Sequence, residues 1–200
     1  MALETSKKTN KYRRETRAKI LDSALRLFAT RGFHGTSIDA IAKSAAISKG
    51  LAYHYFDNKK AILQAIIEQG ISEIERMMGE AAQIDDPFQQ IVALIERTFS
   101  VIERDESYWR LFTGLLLKPD VWQDFGELFT RFLEEAIQQF QILFEKMDAA
   151  DPTGEALMLA ALLDGISLHF MMGKGTYPLQ KAKNVLIQKY SRKNWKDDTK

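Results

Sequence analysis

Apolar positions recur at helical rather than strand spacing along almost the whole chain. Ile20, Leu21, Ala24, Leu25, Leu27 and Phe28 repeat every three or four residues, the spacing that stacks side chains on one helix face. They predict a first helix over 13–31, ended by a cation and a glycine, Arg31 and Gly32. In the next stretch, FHGTSIDAIAKSAAIS, Thr36 and Asp39 have the spacing of a capping box, and Ile38, Ile41, Ala42 and Ala45 form a narrow apolar stripe. Ser48 offers a second N-cap almost at once. Two short helices joined by Ala45, Ala46 and Ile47 predict a helix-turn-helix over about 36–56.

After it, prolines 87, 119, 152 and 178 punctuate further helix-period runs. The predicted helices span 58–82, 87–104, 106–117, 120–147, 153–173 and 179–190. No alternating strand pattern competes, so the expected fold is all-α. The basic, polar end KYSRKNWKDDTK reads as a disordered tail, and the pattern gives Trp195 within it no role.

Composition narrows the function classes. With 200 residues, 46% of them hydrophobic, the chain can bury one large core or two small ones. The absence of cysteine excludes disulfides and thiolate metal sites. The polar, basic N-terminus and the lack of a long uncharged apolar run lead to the expectation of no membrane span and a cytoplasmic protein. A net charge of +1 hides an asymmetry: residues 1–60 carry +8 and residues 61–200 carry −7. A basic end on an acidic body fits a polyanion partner, although a merely solvated arm has the same composition.

The stretch SKGLAYHYFDNKKAIL refines this choice. With Ser48 as cap, Ala52 and Phe56 fall on one side, while Lys49, Gly50, Tyr53 and His54 fall on the other. The small and apolar pair goes inward. The outward set combines donors, flat rings and a close-approach backbone, suited to a DNA groove. Tyr55 and Tyr53 carry hydroxyls for which a phosphate is a ready partner. Lys59 and Lys60 open the next helix, where the macrodipole disfavours cations, so an external anion such as DNA phosphate is expected to compensate.

Residues 33–63 closely resemble the DNA-binding motif of the TetR family of bacterial transcriptional regulators. The likeness is carried in order by Gly32-Phe33, Thr36-Ser37, Ile41-Ala42, Ser48, Tyr53, Tyr55-Phe56 and Lys59. It implies phosphate contacts from Thr36, Ser37, Tyr55 and Lys59, with Ser48 starting the reading helix and Lys49, Gly50, Tyr53 and His54 nearest the bases. Two positions depart from the family pattern. Ala46 stands where a glycine is common, so the turn avoids positive φ or bears about 1 kcal/mol, and Ala52 replaces a larger apolar residue.

The resemblance further implies an N-terminal three-helix DNA-binding domain (1–57) joined by a long helix to a C-terminal ligand-binding and dimerisation domain (58–200). Phe99, Trp109, Phe112, Trp122, Phe125 and Phe129, with Phe132, Phe140 and Phe144, supply many rings. Such a stripe is ordinarily core, yet tryptophans need partners for their N–H groups, which points to a pocket for a bulky, mainly apolar effector. His169 is a further pocket candidate. Within PTGEALMLAALLDGISLHFMMG, Leu157, Ala160, Ala161, Asp164, Gly165 and Leu168 are the expected homodimer surface. A two-fold dimer sets two reading helices about 34 Å apart on a palindromic duplex.

Catalysis finds no support. His34, His54 and His169 lack metal spacing, and GKGT at 173–176 fails the phosphate-loop pattern. No metal and no resident cofactor are expected. The competing reading is an architectural DNA binder without ligand control.

Overall fold

The computed structural model describes residues 2–173 and 176–198, with side chains over 10–173 and 176–195. Lys174 and Gly175 of the GKGT stretch lie outside the described residues. The helices are α1 (Ala2–Arg31), α2 (Ile38–Ser44), α3 (Lys49–Tyr55), α4 (Lys59–Ala82), α5 (Pro87–Arg104), α6 (Glu106–Leu116), α7 (Pro119–Lys146), α8 (Pro152–Met172), α9 (Leu179–Lys189) and α10 (Arg192–Asp198). No strand occurs among the described residues, and the fold is all-α.

Two compact units form, one from Met1–Gly70 with Gly114–Asp124, the other from Ile71–Thr113 with Phe125–Lys200. In the first, the predicted stripe of α1, apart from half-buried Leu27, is buried with Ile38, Ile41 and Ala42 of α2, Ala52 of α3, and Ile62, Leu63 and Ile66 of α4. Burying one stripe per helix is what holds such short elements, since α2 and α3 are too brief to persist alone. In the second, Ile91, Ile95, Phe99, Phe144, Ala156, Leu159 and Tyr190 are almost completely enclosed.

Several expectations need correction. The first helix begins at Ala2, not near 13, because a helix anchored by its C-terminal half extends without a new nucleation step. Ser37, not Thr36, caps α2, its Oγ accepting from Ala40 N at 3.1 Å. Thr36 is buried instead, and its hydroxyl lies 2.8 Å from the Gly32 carbonyl and 3.2 Å from that of Leu27. The C-terminal segment is helical, with α10 following α9. Trp195 is buried there and its Nε1 donates to Met147 O at 2.9 Å.

By length and composition α8 is apolar enough to cross a membrane, with a mean hydropathy of 1.4 over its most apolar window. It is apolar on more than its packed side. Ala156, Leu159, Leu163 and Met171 are buried, while Leu157, Met158 and Met172 are exposed.

The α2–α3 turn has Ala46 at φ +54°, so this residue occupies the left-handed region. That conformation costs a residue with a Cβ about 1–2 kcal/mol, and glycine's extra unfolded-state freedom offsets about 0.4–1 kcal/mol of the relief. Ala46→Gly is therefore expected to stabilise the protein by about 0.5–1 kcal/mol, read from the denaturant midpoint. A drop in stability contradicts the strain.

Candidate nucleic-acid interface

The candidate face is built by α3. Ser48 Oγ accepts from Leu51 N at 3.2 Å and starts the helix in a fixed register. That register buries Ala52 and places Phe56, also buried, at the C-cap. Lys49, Gly50, Tyr53 and His54 consequently face solvent, with Tyr53 45% exposed. A Cβ added at Gly50 meets no atom within 4 Å, so this position leaves the helix backbone open to a close approach. Tyr55 is half-buried and its ring meets that of His54 edge-on at 5.7 Å.

The surrounding charges are organised by partners that the sequence pattern did not single out. Lys49 Nζ pairs with the Asp39 carboxylate of α2 at 2.9 Å, and this hydrogen bond raises the lysine above its ordinary range. The pair ties the start of α3 to the first turn of α2. The same ammonium lies 5.9 Å from the centre of the Tyr53 ring, near the outer limit of a cation–π contact. Ser37 is exposed at the α2 N-terminus, where its hydroxyl serves as the cap.

At the start of α4 the two lysines have internal partners. Lys59 Nζ donates to the Phe33 carbonyl at 2.7 Å and sits 4.4 Å above the Phe33 ring. Lys60 pairs with Asp124 at 2.9 Å, and Asn58 Oδ1 accepts from Ala61 N at 2.9 Å. The expected external anion is thus not needed to offset the helix dipole. Lys59 locks the loop before α2 onto α4. A recess of about 520 Å³ lined by Phe33, Asn58, Lys59, Lys60, Ala61 and Gln64 opens beside it. Thr36, enclosed in this framework, is a support for the loop rather than a surface contact.

Residues nominated for an effector separate into different surroundings. Phe99, Trp109, Phe112, Phe125 and Phe129 are buried, with Trp109 edge-on to Phe112 at 5.5 Å. Tyr108 stacks on Phe112 at 6.0 Å, and burial beside Asp105 and Glu73 pushes its hydroxyl up to about 12. Trp122 is instead 48% exposed and belongs to the first unit. His169 is exposed, its ring 5.8 Å from Tyr177. A recess of about 240 Å³ in the second unit is lined by Glu75, Met78, Gly79, Phe132, Glu135, Ala136 and Gln139. Only Phe132 among the named rings contributes to it. Nearby in sequence to the core of α5, Arg97 Nη1 is buried without a hydrogen-bond partner among the described residues.

The nominated α8 surface is outward in part. Leu157, Ala161 and Asp164 are exposed, and Ala160, Gly165 and Leu168 are half-buried. Among the described residues no group of three His, Cys, Asp or Glu could hold a metal ion.

Residues 20–66 match the family model described as bacterial regulatory proteins, tetR family. The Escherichia coli K12 regulator UidR is 38% identical over 88 residues, covering 42% of this chain and 45% of UidR. IcaR of Staphylococcus epidermidis, a negative transcriptional regulator of a biofilm operon, is 29% identical over 142 residues, covering 66% of this chain and 74% of IcaR. The chain thus matches about half the length of the first of these relatives. Among solved structures, Bacillus subtilis FadR in complex with stearoyl-CoA superposes with a TM-score of 0.69 at 21% identity, covering 88% of this chain and 97% of FadR. These relatives are regulators, not enzymes. The matched segment is the helix-turn-helix with its supporting helices, and over it the chain is similar to the tetR family of bacterial regulatory proteins.

Proposed function

We propose that the protein is a ligand-responsive transcriptional regulator: a repressor, acting in the bacterial cytoplasm, that binds a palindromic operator as a homodimer and is released by a small, mainly apolar effector. The observation that carries this is the outward face of α3. Lys49, Gly50, Tyr53 and His54 stand together on a helix rigidly capped at Ser48, and such a face in a major groove reads base edges. Ser37, Tyr55 and the lysines at the start of α4 flank it as phosphate contacts. Lys59 acts chiefly by holding the Phe33 loop, and Lys49 must exchange Asp39 for DNA.

Support for a dimer comes from α8. Its exposed Leu157 and Met158, together with small Ala160, Ala161 and Gly165, form a surface that a second copy can approach closely. The effector reading rests on the ring-rich second unit and on the FadR complex with stearoyl-CoA, an amphipathic molecule. The buried Arg97 Nη1 favours an effector that also brings one acceptor group, since a buried cationic donor without a partner is costly. Control follows from α4, which runs without a break from Lys59 to Ala82 and contributes to both units. A ligand that prefers one position of this helix shifts the separation of the reading helices.

Selection of bound sequences from random duplex DNA at near-physiological salt tests the proposal. One palindrome with half-sites a helical turn or a multiple apart is the expected result, released by acyl-chain or similar amphipathic effectors in a follow-up screen. Recovery of no motif leaves the architectural reading instead.

A further inference from the structure

We infer that the first half of α1 is a second DNA-binding element, a preformed basic arm that contacts backbone phosphates flanking each half-site. This rests on the proposal that α3 occupies a major groove. Residues 1–19 carry seven Lys and Arg against two Glu. Yet α1 is continuous from Ala2, and Thr16 is the first of its described residues to be buried. Residues 10–15 are all exposed. A helical stretch with no packed face needs a reason other than the core.

Its direction follows from one contact. The Arg17 guanidinium lies 5.5 Å from the centre of the Phe56 ring, and Phe56 is the C-cap of α3. Arg13 and Arg14 precede Arg17 by four and three residues, which puts them on the side of α1 that Arg17 turns to the end of the reading helix. From Thr16 the fourteen residues back to Ala2 extend about 21 Å at 1.5 Å per residue. That reach exceeds the distance between successive phosphates several times over, so an arm lying along the duplex can meet phosphates well beyond its anchor at Thr16. Guanidinium groups on a helix suit phosphate oxygens, and contacts to phosphate carry no base readout. The arm therefore adds affinity and salt dependence and leaves the operator sequence unchanged.

The test uses the full chain and its Arg13→Gln/Arg14→Gln variant, with Arg13→Lys/Arg14→Lys as the charge-retaining control. Affinity is measured against salt on the selected operator with about ten flanking base pairs per side, and on the same operator trimmed to its half-sites. On the long duplex, the glutamine variant should bind about tenfold or more weakly near 0.15 M salt, with the slope of log K against log salt reduced by about 1.8 per protomer. The lysine variant should keep the wild-type slope, and all three should agree on the trimmed duplex. Both arginines are exposed, so all three proteins should melt together. Equal binding of wild type and glutamine variant on the long duplex overturns the arm, as does an equal loss on both lengths. If the wild type itself selects no operator, the regulator proposal falls and the arm with it.

Discussion

Trp195→Ala is expected to destabilise the protein by about 3–4 kcal/mol, within the usual range for truncating a buried aromatic. The ring is stacked on Phe144 at 5.6 Å and lies 5.9 Å from Tyr190, both of which are fully enclosed. Its indole N–H also donates to Met147 O, just past the end of α7, where helix carbonyls lose their own donors. Removing the ring leaves a cavity and strips a buried carbonyl of its partner. Trp195→Phe separates the two effects: most packing remains, and the loss should be about 1–2 kcal/mol for the unsatisfied carbonyl. For a chain of this size the alanine variant should melt about 6–16 °C lower at matched protein concentration. Both variants falling within the error of wild type would remove the C-terminal helix from the core.

That tryptophan also shows where the sequence stops being informative. Its partners Met147 and Phe144 are some fifty residues earlier, and within a polar run a single ring gives no period to read. The same limit explains Trp109 and Trp122. Both looked alike as candidate pocket residues, yet one is buried in the second unit and the other exposed in the first. Helix identity was far more legible, because a period of three to four survives in α4 through α9 and prolines mark the starts of α5, α7 and α8.

The candidate interface was legible where a local rule applied and incompletely read where a distant group intervened. Ser48 as cap, Ala52 and Phe56 inward, and Tyr53 and His54 outward all follow from the geometry of one short helix. Thr36 and Ser37 are adjacent and both suit an N-cap. The choice between them was made by the Gly32 and Leu27 carbonyls, which bind the Thr36 hydroxyl. Lys59 was assigned to phosphate because charge is visible in sequence, whereas the Phe33 carbonyl and ring that hold it are not. Asp39 was noticed only as a capping residue, while its carboxylate in fact holds Lys49.

Tyr53→Ala/His54→Ala is expected to weaken operator binding about 100-fold, since two base-edge contacts at about 1.5 kcal/mol each give about 3 kcal/mol. Neither side chain supports the fold: both are exposed, and the core position on this helix is Ala52. Stability should accordingly stay within about 0.5 kcal/mol of wild type. Binding to random duplex should fall much less than binding to operator, because the phosphate-neutralising cations of the first unit remain. The comparison with Lys59→Ala is the sharper part of the test. That substitution unties the Phe33 loop, so it should lower stability and all DNA binding together, without changing which sequence is preferred. If the Tyr53/His54 variant recovers the wild-type operator at wild-type affinity, reading by this face of α3 is ruled out. If it loses random and operator DNA equally, the face contributes only to backbone binding, and specificity has to come from the shape of the duplex.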